Sequence, residues 1–147
     1  MASFDARTVR LDIPSRIDML EIASVLVGEF ARTAGWAEAS VRDIQAASHE
    51  AVANAIVHAN REDETRRVTL EVAVHPGELR IRVRDEGPGF DVAAVPYPLA
   101  PENLYRPSGR GIFLMRALMD EVVFENPAGG GAEVTMLKRF PSAPEGH

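Results

Sequence analysis

Residues 49–60 read His49-Glu50-Ala51-Val52-Ala53-Asn54-Ala55-Ile56-Val57-His58-Ala59-Asn60. Positions four apart share one helical face, so Glu50, Asn54 and His58 form a polar row on an otherwise apolar, alanine-rich helix. Small residues allow such a helix to pack closely on a sheet, and the polar row is left to face a ligand. A carboxylate can take a proton from a hydroxyl, and a neutral amide oxygen is a hard ligand suited to magnesium. His49-Glu50 also begins a His-Glu-x-x-His zinc pattern, but Ala53 stands where the second histidine would be required. His58 has two readings, a group orienting Glu50 or a phosphate and a partly exposed helix residue, of which the second is the plainer; His49 reads as structural.

The apolar stripe Val41, Ile44, Ala47, Ala51, Val52, Ala55, Ile56 and Ala59 extends this helix to about 38–60. Upstream, Val9, Leu11 and Ile13 alternate with Arg10 and Asp12 until Pro14, which predicts an edge strand. Ser15 then stands as the cap of a first helix carrying Ile17, Leu20, Ile22, Ala23, Leu26, Val27 and Phe30, ended by Gly35. Downstream, Val68, Leu70, Val72 and Val74, the turn His75-Pro76-Gly77-Glu78, and Leu79, Ile81 and Val83 predict an antiparallel hairpin with one wet face. A third helix is expected over 111–119, and a closing hairpin from 122–124 and 133–140 around the turn Asn126-Pro127-Ala128-Gly129-Gly130-Gly131. This order describes a two-layer α/β sandwich: a mixed, mostly antiparallel sheet covered on one face by three helices.

Two further motifs follow the hairpin. Asp85-Glu86-Gly87-Pro88-Gly89-Phe90 ends a strand, and its glycines let backbone approach a flat ligand without a Cβ in the way. An ionised aspartate only accepts hydrogen bonds, so it can select adenine through the exocyclic amino group. Ser108-Gly109-Arg110-Gly111 then opens the third helix, where backbone N–H groups and the helix dipole favour an anion, with Arg106 and Arg110 adding charge. Pro96, Pro98, Pro101 and Pro107 fall between these motifs, so residues 92–108 read as a loop or lid. Each motif alone has an ordinary structural reading: a solvated helix face, a strand-ending turn, a glycine helix entry. No Gly-x-x-x-x-Gly-Lys-Ser/Thr and no dinucleotide-type Gly-x-Gly-x-x-Gly after a first strand is present, so a nucleotide grip here has to be of another type.

Composition bounds the rest. The 147 residues, 46% of them hydrophobic, fit one domain, 1–147, with a polar tail at about 141–147 expected to fray. With 16 basic against 22 acidic residues the net charge is −6, which disfavours a nucleic-acid partner. There is no cysteine for disulfide or thiolate chemistry. No apolar run approaches the roughly 20 residues of a membrane span, and the charged N-terminus does not read as a signal peptide, so the cytoplasm is the expected compartment.

Taken in order, HEAVANAIVHAN, DEGPGFD and RPSGRGIFLMRALMDEV resemble the N, G1 and G2 boxes of the GHKL (Bergerat-fold, histidine-kinase-like) ATPase superfamily, over nearly the whole chain. The short length and the GRGIFLMRALMDEV and GAEVTMLKRF segments are most similar to the anti-sigma factor serine/threonine-protein kinases of partner-switching systems. The resemblance implies ATP and Mg2+ as cofactors and Glu50 as the general base for a partner's serine. It implies Asn54 on the magnesium, Asp85 on adenine, Gly87 and Gly89 at the pocket floor, and Arg106, Ser108, Gly109, Arg110 and Gly111 around the triphosphate. It further implies a homodimer whose partners are a STAS-domain anti-anti-sigma protein and a sigma factor. One departure stands out: the superfamily often has Gly-Thr at the start of the last strand, and this chain has Gly131-Ala132. Two other readings use the same pocket: a non-catalytic ATP-sensing interaction module, and a detached histidine-kinase catalytic domain, which lacks here a dimerising helix pair with a phosphoacceptor histidine.

Overall fold

A computed structural model describes residues 7–89 and 107–140, the side chains of 107–109 excepted. The elements are β1 (Arg7–Pro14), α1 (Met19–Thr33), α2 (Glu38–Ala53) continued by a π-helical turn (Asn54–Ala59), β2 (Arg67–His75), β3 (Glu78–Arg84), α3 (Pro107–Leu118), β4 (Glu121–Glu125) and β5 (Glu133–Arg139). The strands form one sheet in the order β1-β2-β3-β5-β4. All four ladders are antiparallel, so the sheet expected to be mixed has no parallel pair among the described residues.

Alternation decides which face is covered. Leu11, Ile13, Val68, Leu70, Val72, Val74, Leu79, Ile81, Val83, Val134 and Met136 point to one side and form the core with the helices. Arg10, Glu71, Arg82 and Thr135 lie in register across the other side, where Arg82 pairs with Glu71 at 3.3 Å and with Glu133 at 3.7 Å. These pairs are half exposed and add at most about 1 kcal/mol each, so they keep the face wet more than they stabilise it. The open edges are blunted, β1 by its terminal Pro14 and β4 by its short length and by Glu121 and Glu125.

α2 is the middle helix of the layer, packed on α1 on one side and on α3 on the other. Gly28 on α1 lets the first contact close, because a Cβ there would meet the Gln45 side chain, whose Nε2 donates to the Ser24 carbonyl. At the far end of the sheet Trp36 stacks on Phe140, with ring centroids 3.8 Å apart. Lys138 points to the helix side and donates to the Leu118 carbonyl, satisfying a C-terminal helix acceptor.

Two expectations need correction. Ser15 does not cap α1, which starts at Met19 after Asp18 with no side-chain capping bond. The Ser15 side chain is fully buried, and its hydroxyl donates to the Arg66 carbonyl instead. The second helix is not α-helical to its end: the Asn60 N–H donates to Ala55 five residues back, and the chain then turns through left-handed Arg61 and Glu62. The expected lid, except for Pro107 and Ser108, and the tail lie outside the described residues.

Ile44 is fully buried at the centre of α2. Ile44→Ala is expected to cost about 2–5 kcal/mol, read as a lowered midpoint at unchanged m-value in urea unfolding. A change below 0.5 kcal/mol would show that α2 is not the hub of the core.

Candidate functional site

The last turn of α2 carries Glu50, and Asn54 follows at the start of the π turn, both half-buried. Gly111, in α3, lies directly against them: a Cβ at this position would sit 3.0 Å from Glu50 Oε1 and 3.1 Å from Asn54 Nδ2. The backbone of α3 therefore comes as close to this acid and amide as a missing side chain permits. His58 and His49 are exposed; His58 keeps its plainer reading, and His49, expected to be structural, is not a core residue.

Asp85 lies just beyond β3 and is 8% exposed. Its N–H donates to the Ala132 carbonyl, and its Oδ1 accepts from the N–H groups of Ala132 and Gly87, each at 3.0 Å. Oδ2 has no hydrogen bond among the described residues, which leaves one carboxylate oxygen for a donor on a ligand. Burial pushes the Asp85 carboxyl above its ordinary value of 3.8, and the two N–H donors and the Arg84 charge pull it back down.

Glycines close the turn around this aspartate. A Cβ on Gly87 would meet the Ala59 carbonyl at 2.6 Å, so the turn is pressed onto the end of the π segment. Gly89 has φ +81°, and its Cβ would lie 3.0 Å from Asn126 Oδ1. Gly131 has φ +79°, and a Cβ there would fall 2.0 Å from the Asp85 carbonyl oxygen. A side chain is excluded there, a constraint on Asp85 that neither the glycine turn nor the Gly131-Ala132 pair revealed in the sequence. Ala132 supports Asp85 through its backbone alone, so the missing threonine hydroxyl is not needed to hold the aspartate.

Ser108 and Gly109 do not precede the third helix; they lie inside α3, which starts at Pro107, a residue suited to a first helical position. Arg110 is exposed on the same turn, and Arg106 lies outside the described residues. Among the described residues no group of three or more His, Cys, Asp or Glu forms a metal site. A divalent ion beside Asn54 would take its remaining ligands from phosphate and water, the habit of magnesium. The cradle at Gly111 and the single amide oxygen fit that chemistry. A cavity of about 390 Å³ adjoins the aspartate turn: Arg10, Arg67, Thr69 and Arg84 line it from the helix-free face of the sheet, and Asp85, Glu86, Gly87 and the glycines 129–131 complete it.

These features define a nucleotide-binding α/β sandwich, and residues 13–138 match the family of histidine kinase-like ATPase domains, to which the chain belongs. It is 30% identical over 134 residues to serine-protein kinase RsbW of Bacillus subtilis (strain 168), covering 85% of this chain and 82% of that protein. It is likewise 30% identical to the anti-sigma F factor of Geobacillus stearothermophilus over 135 residues, 90% of this chain and 92% of the relative. The fold matches the RsbU and RsbW domains of a Mycobacterium tuberculosis protein with a TM-score of 0.66 at 20% identity, over 90% of this chain and 32% of that one. The SiaB–SiaC complex of Pseudomonas aeruginosa gives 0.66 at 14% identity, over 88% of each chain. The expectation of an ATP-using protein-serine kinase stands on the named relatives, and the fold neighbours bear out the architecture.

A raised carboxyl pKa means that the folded chain prefers the protonated form. Asp85 therefore stabilises the fold fully below the ordinary carboxylate range, and that contribution is lost as pH rises through the raised value. An amide at 85 keeps the Oδ1 acceptor without the buried charge. Asp85→Asn is expected to melt no lower than the parent at pH 7, with any advantage shrinking as pH falls to about 4. Melting curves at the two pH values check this; a variant less stable at pH 7 would mean that the charge itself is stabilising.

Proposed function

We propose that this chain is an ATP-dependent protein-serine kinase of a partner-switching system, with its site between the end of α2, the Asp85–Gly89 turn and the start of α3. The observation that carries the reading is the approach of Gly111 to Glu50 and Asn54, since it brings the acid, the amide and a helix N-terminal region to one point. Asp85 offers Oδ2 to the adenine amino group. The first turn of α3, with Ser108, Gly109, Arg110 and Gly111, together with Arg106, embraces the phosphates. Asn54 supplies the protein oxygen to Mg2+, which when bound would neutralise phosphate charge. Glu50 accepts the proton of the partner's serine hydroxyl as that oxygen bonds to the γ-phosphorus and the bond to the β–γ bridging oxygen breaks, releasing ADP. Such transfers need positioning and charge neutralisation above all, and the site holds one base, one amide and an anion-binding helix end for that purpose.

The relatives' names, serine-protein kinase and anti-sigma F factor, support a protein serine as the phosphoacceptor and a sigma factor as the sequestered partner; a STAS-domain anti-anti-sigma protein as the bearer of that serine is part of the same proposal. A homodimer is part of the same proposal, as is a cytoplasmic location; among the described residues no helix is long and apolar enough to cross a membrane.

Glu50→Ala is expected to lower phosphotransfer to the STAS partner about 10²–10⁴-fold, the usual share of a general base. ATP affinity should change less than about threefold, under 1 kcal/mol. Phosphorylation followed by mass spectrometry and binding by calorimetry separate the two; undiminished transfer removes Glu50 from the role. Asp85→Asn should weaken ATP about tenfold or more, because the amide can turn a donor toward the adenine donor. An unchanged dissociation constant would sink the adenine assignment.

A further inference from the structure

Asn60 closes the HEAVANAIVHAN segment, yet neither the base, the metal nor the adenine contact uses it. It is fully buried, and every polar atom it has is bonded. Its N–H donates to Ala55 and its carbonyl accepts from Asp63. The side-chain Nδ2 donates to Ser15 Oγ at 2.9 Å and to the Arg67 carbonyl at 3.1 Å. Its Oδ1 accepts the Glu86 N–H at 3.0 Å. Glu86 in turn accepts a hydrogen bond from the Arg67 N–H through its carboxylate, and the Ser15 hydroxyl donates one to the Arg66 carbonyl.

One amide thus joins four separate pieces of chain: the end of β1, the end of the helix bearing Glu50 and Asn54, the start of β2, and the residue directly after Asp85. The contact of Gly87 with the Ala59 carbonyl keeps the same two segments from approaching further. Together the hydrogen bond pulls and the steric contact stops, which sets the distance from the Glu50 helix to the Asp85 turn. A nucleotide spans a limited range between adenine and γ-phosphate, and a site that holds both ends selects one conformation of it, so this spacing bears on how well both ends are held at once.

We infer that Asn60 is a positioning residue for nucleotide binding, acting through the Glu86 N–H on Asp85. The inference rests on the nucleotide site proposed above. Ser15 shares the buried network but touches neither Glu86 nor the Asp85 turn, so it separates positioning from plain stability. Asn60→Ala is expected to raise the ATP dissociation constant about tenfold, a shift of 1.4 kcal/mol. Ser15→Ala should lower the melting temperature while leaving that constant within about twofold.

The test is calorimetric titration of Mg-ATP into the parent and both variants, at a temperature where circular dichroism shows each folded. Parent affinity within twofold in folded Asn60→Ala, or an equal loss in Ser15→Ala, overturns the inference. A parent that binds no ATP overturns instead the nucleotide site itself. Should Asn60→Ala not fold, hydrogen exchange of the unmutated protein decides: the Glu86 amide should be protected as strongly as the amides of β3 even without nucleotide. Exchange there as fast as in an open turn rules out the tie to Asn60.

Discussion

The structure depends on the burial of one helix. α2 lies between α1 and α3 and on the sheet, so only a narrow strip of it is left to carry polar side chains. Val41, Ile44, Ala47, Ala51, Val52, Ala55 and Ile56 are buried in the core, and Glu50 and Asn54 emerge where α3 arrives. The small residues matter because a helix with three packed neighbours has no room for broad side chains on every face. Anything that reoriented α2 would move the acid and amide away from α3 and from the Asp85 turn together.

Close backbone approaches complete what packing begins. At Gly87 and Gly131 backbone atoms leave no space for a Cβ, and at Gly111 a Cβ would press on the Glu50 and Asn54 side chains at 3.0 and 3.1 Å. In each case the neighbour belongs to the site or to its support: Ala59 at the end of the π turn, Glu50 with Asn54, and Asp85. The π turn adds its own contribution, because its wider hydrogen bonding ends the helix with Asn60 inside the protein. The residues that follow, Arg61 and Glu62, accept left-handed conformations that cost of order 1 kcal/mol or more each, offset by this anchoring.

Ala132 shows how a departure from a family pattern can be read only in three dimensions. Its side chain lacks the hydroxyl of a threonine, but its N–H and carbonyl both engage Asp85, and neither depends on side-chain identity. The buried carboxylate is thereby held on one oxygen, with the second left for a ligand. Burial makes the charge of Asp85 costly to the fold, as its raised pKa indicates, the pattern of a group kept for a ligand contact such as the one proposed above.

Local periodicity in the sequence determined the five strands and three helices of the described residues and most of the face each buries, because alternation and 3.6-residue spacing are properties of single segments; Ile17 and Ile22, counted in the stripe of the first helix, are exposed. The Glu50, Asn54, Asp85 and Gly111 set was legible for the same reason: each motif lies within a few consecutive residues. Tertiary structure alone decided that Ser15 bonds across the fold instead of capping a helix, that Asn60 joins the helix end to the Asp85 turn, and that Gly131 must be a glycine. It also decided where α2 changes to wider hydrogen bonding and that every ladder among the described residues is antiparallel. The bonds of Ser15, Asn60 and Asp85 among these join atoms 26 to 51 residues apart along the chain. No pattern within one segment records which distant carbonyl or N–H will lie within hydrogen-bonding reach once the layers close.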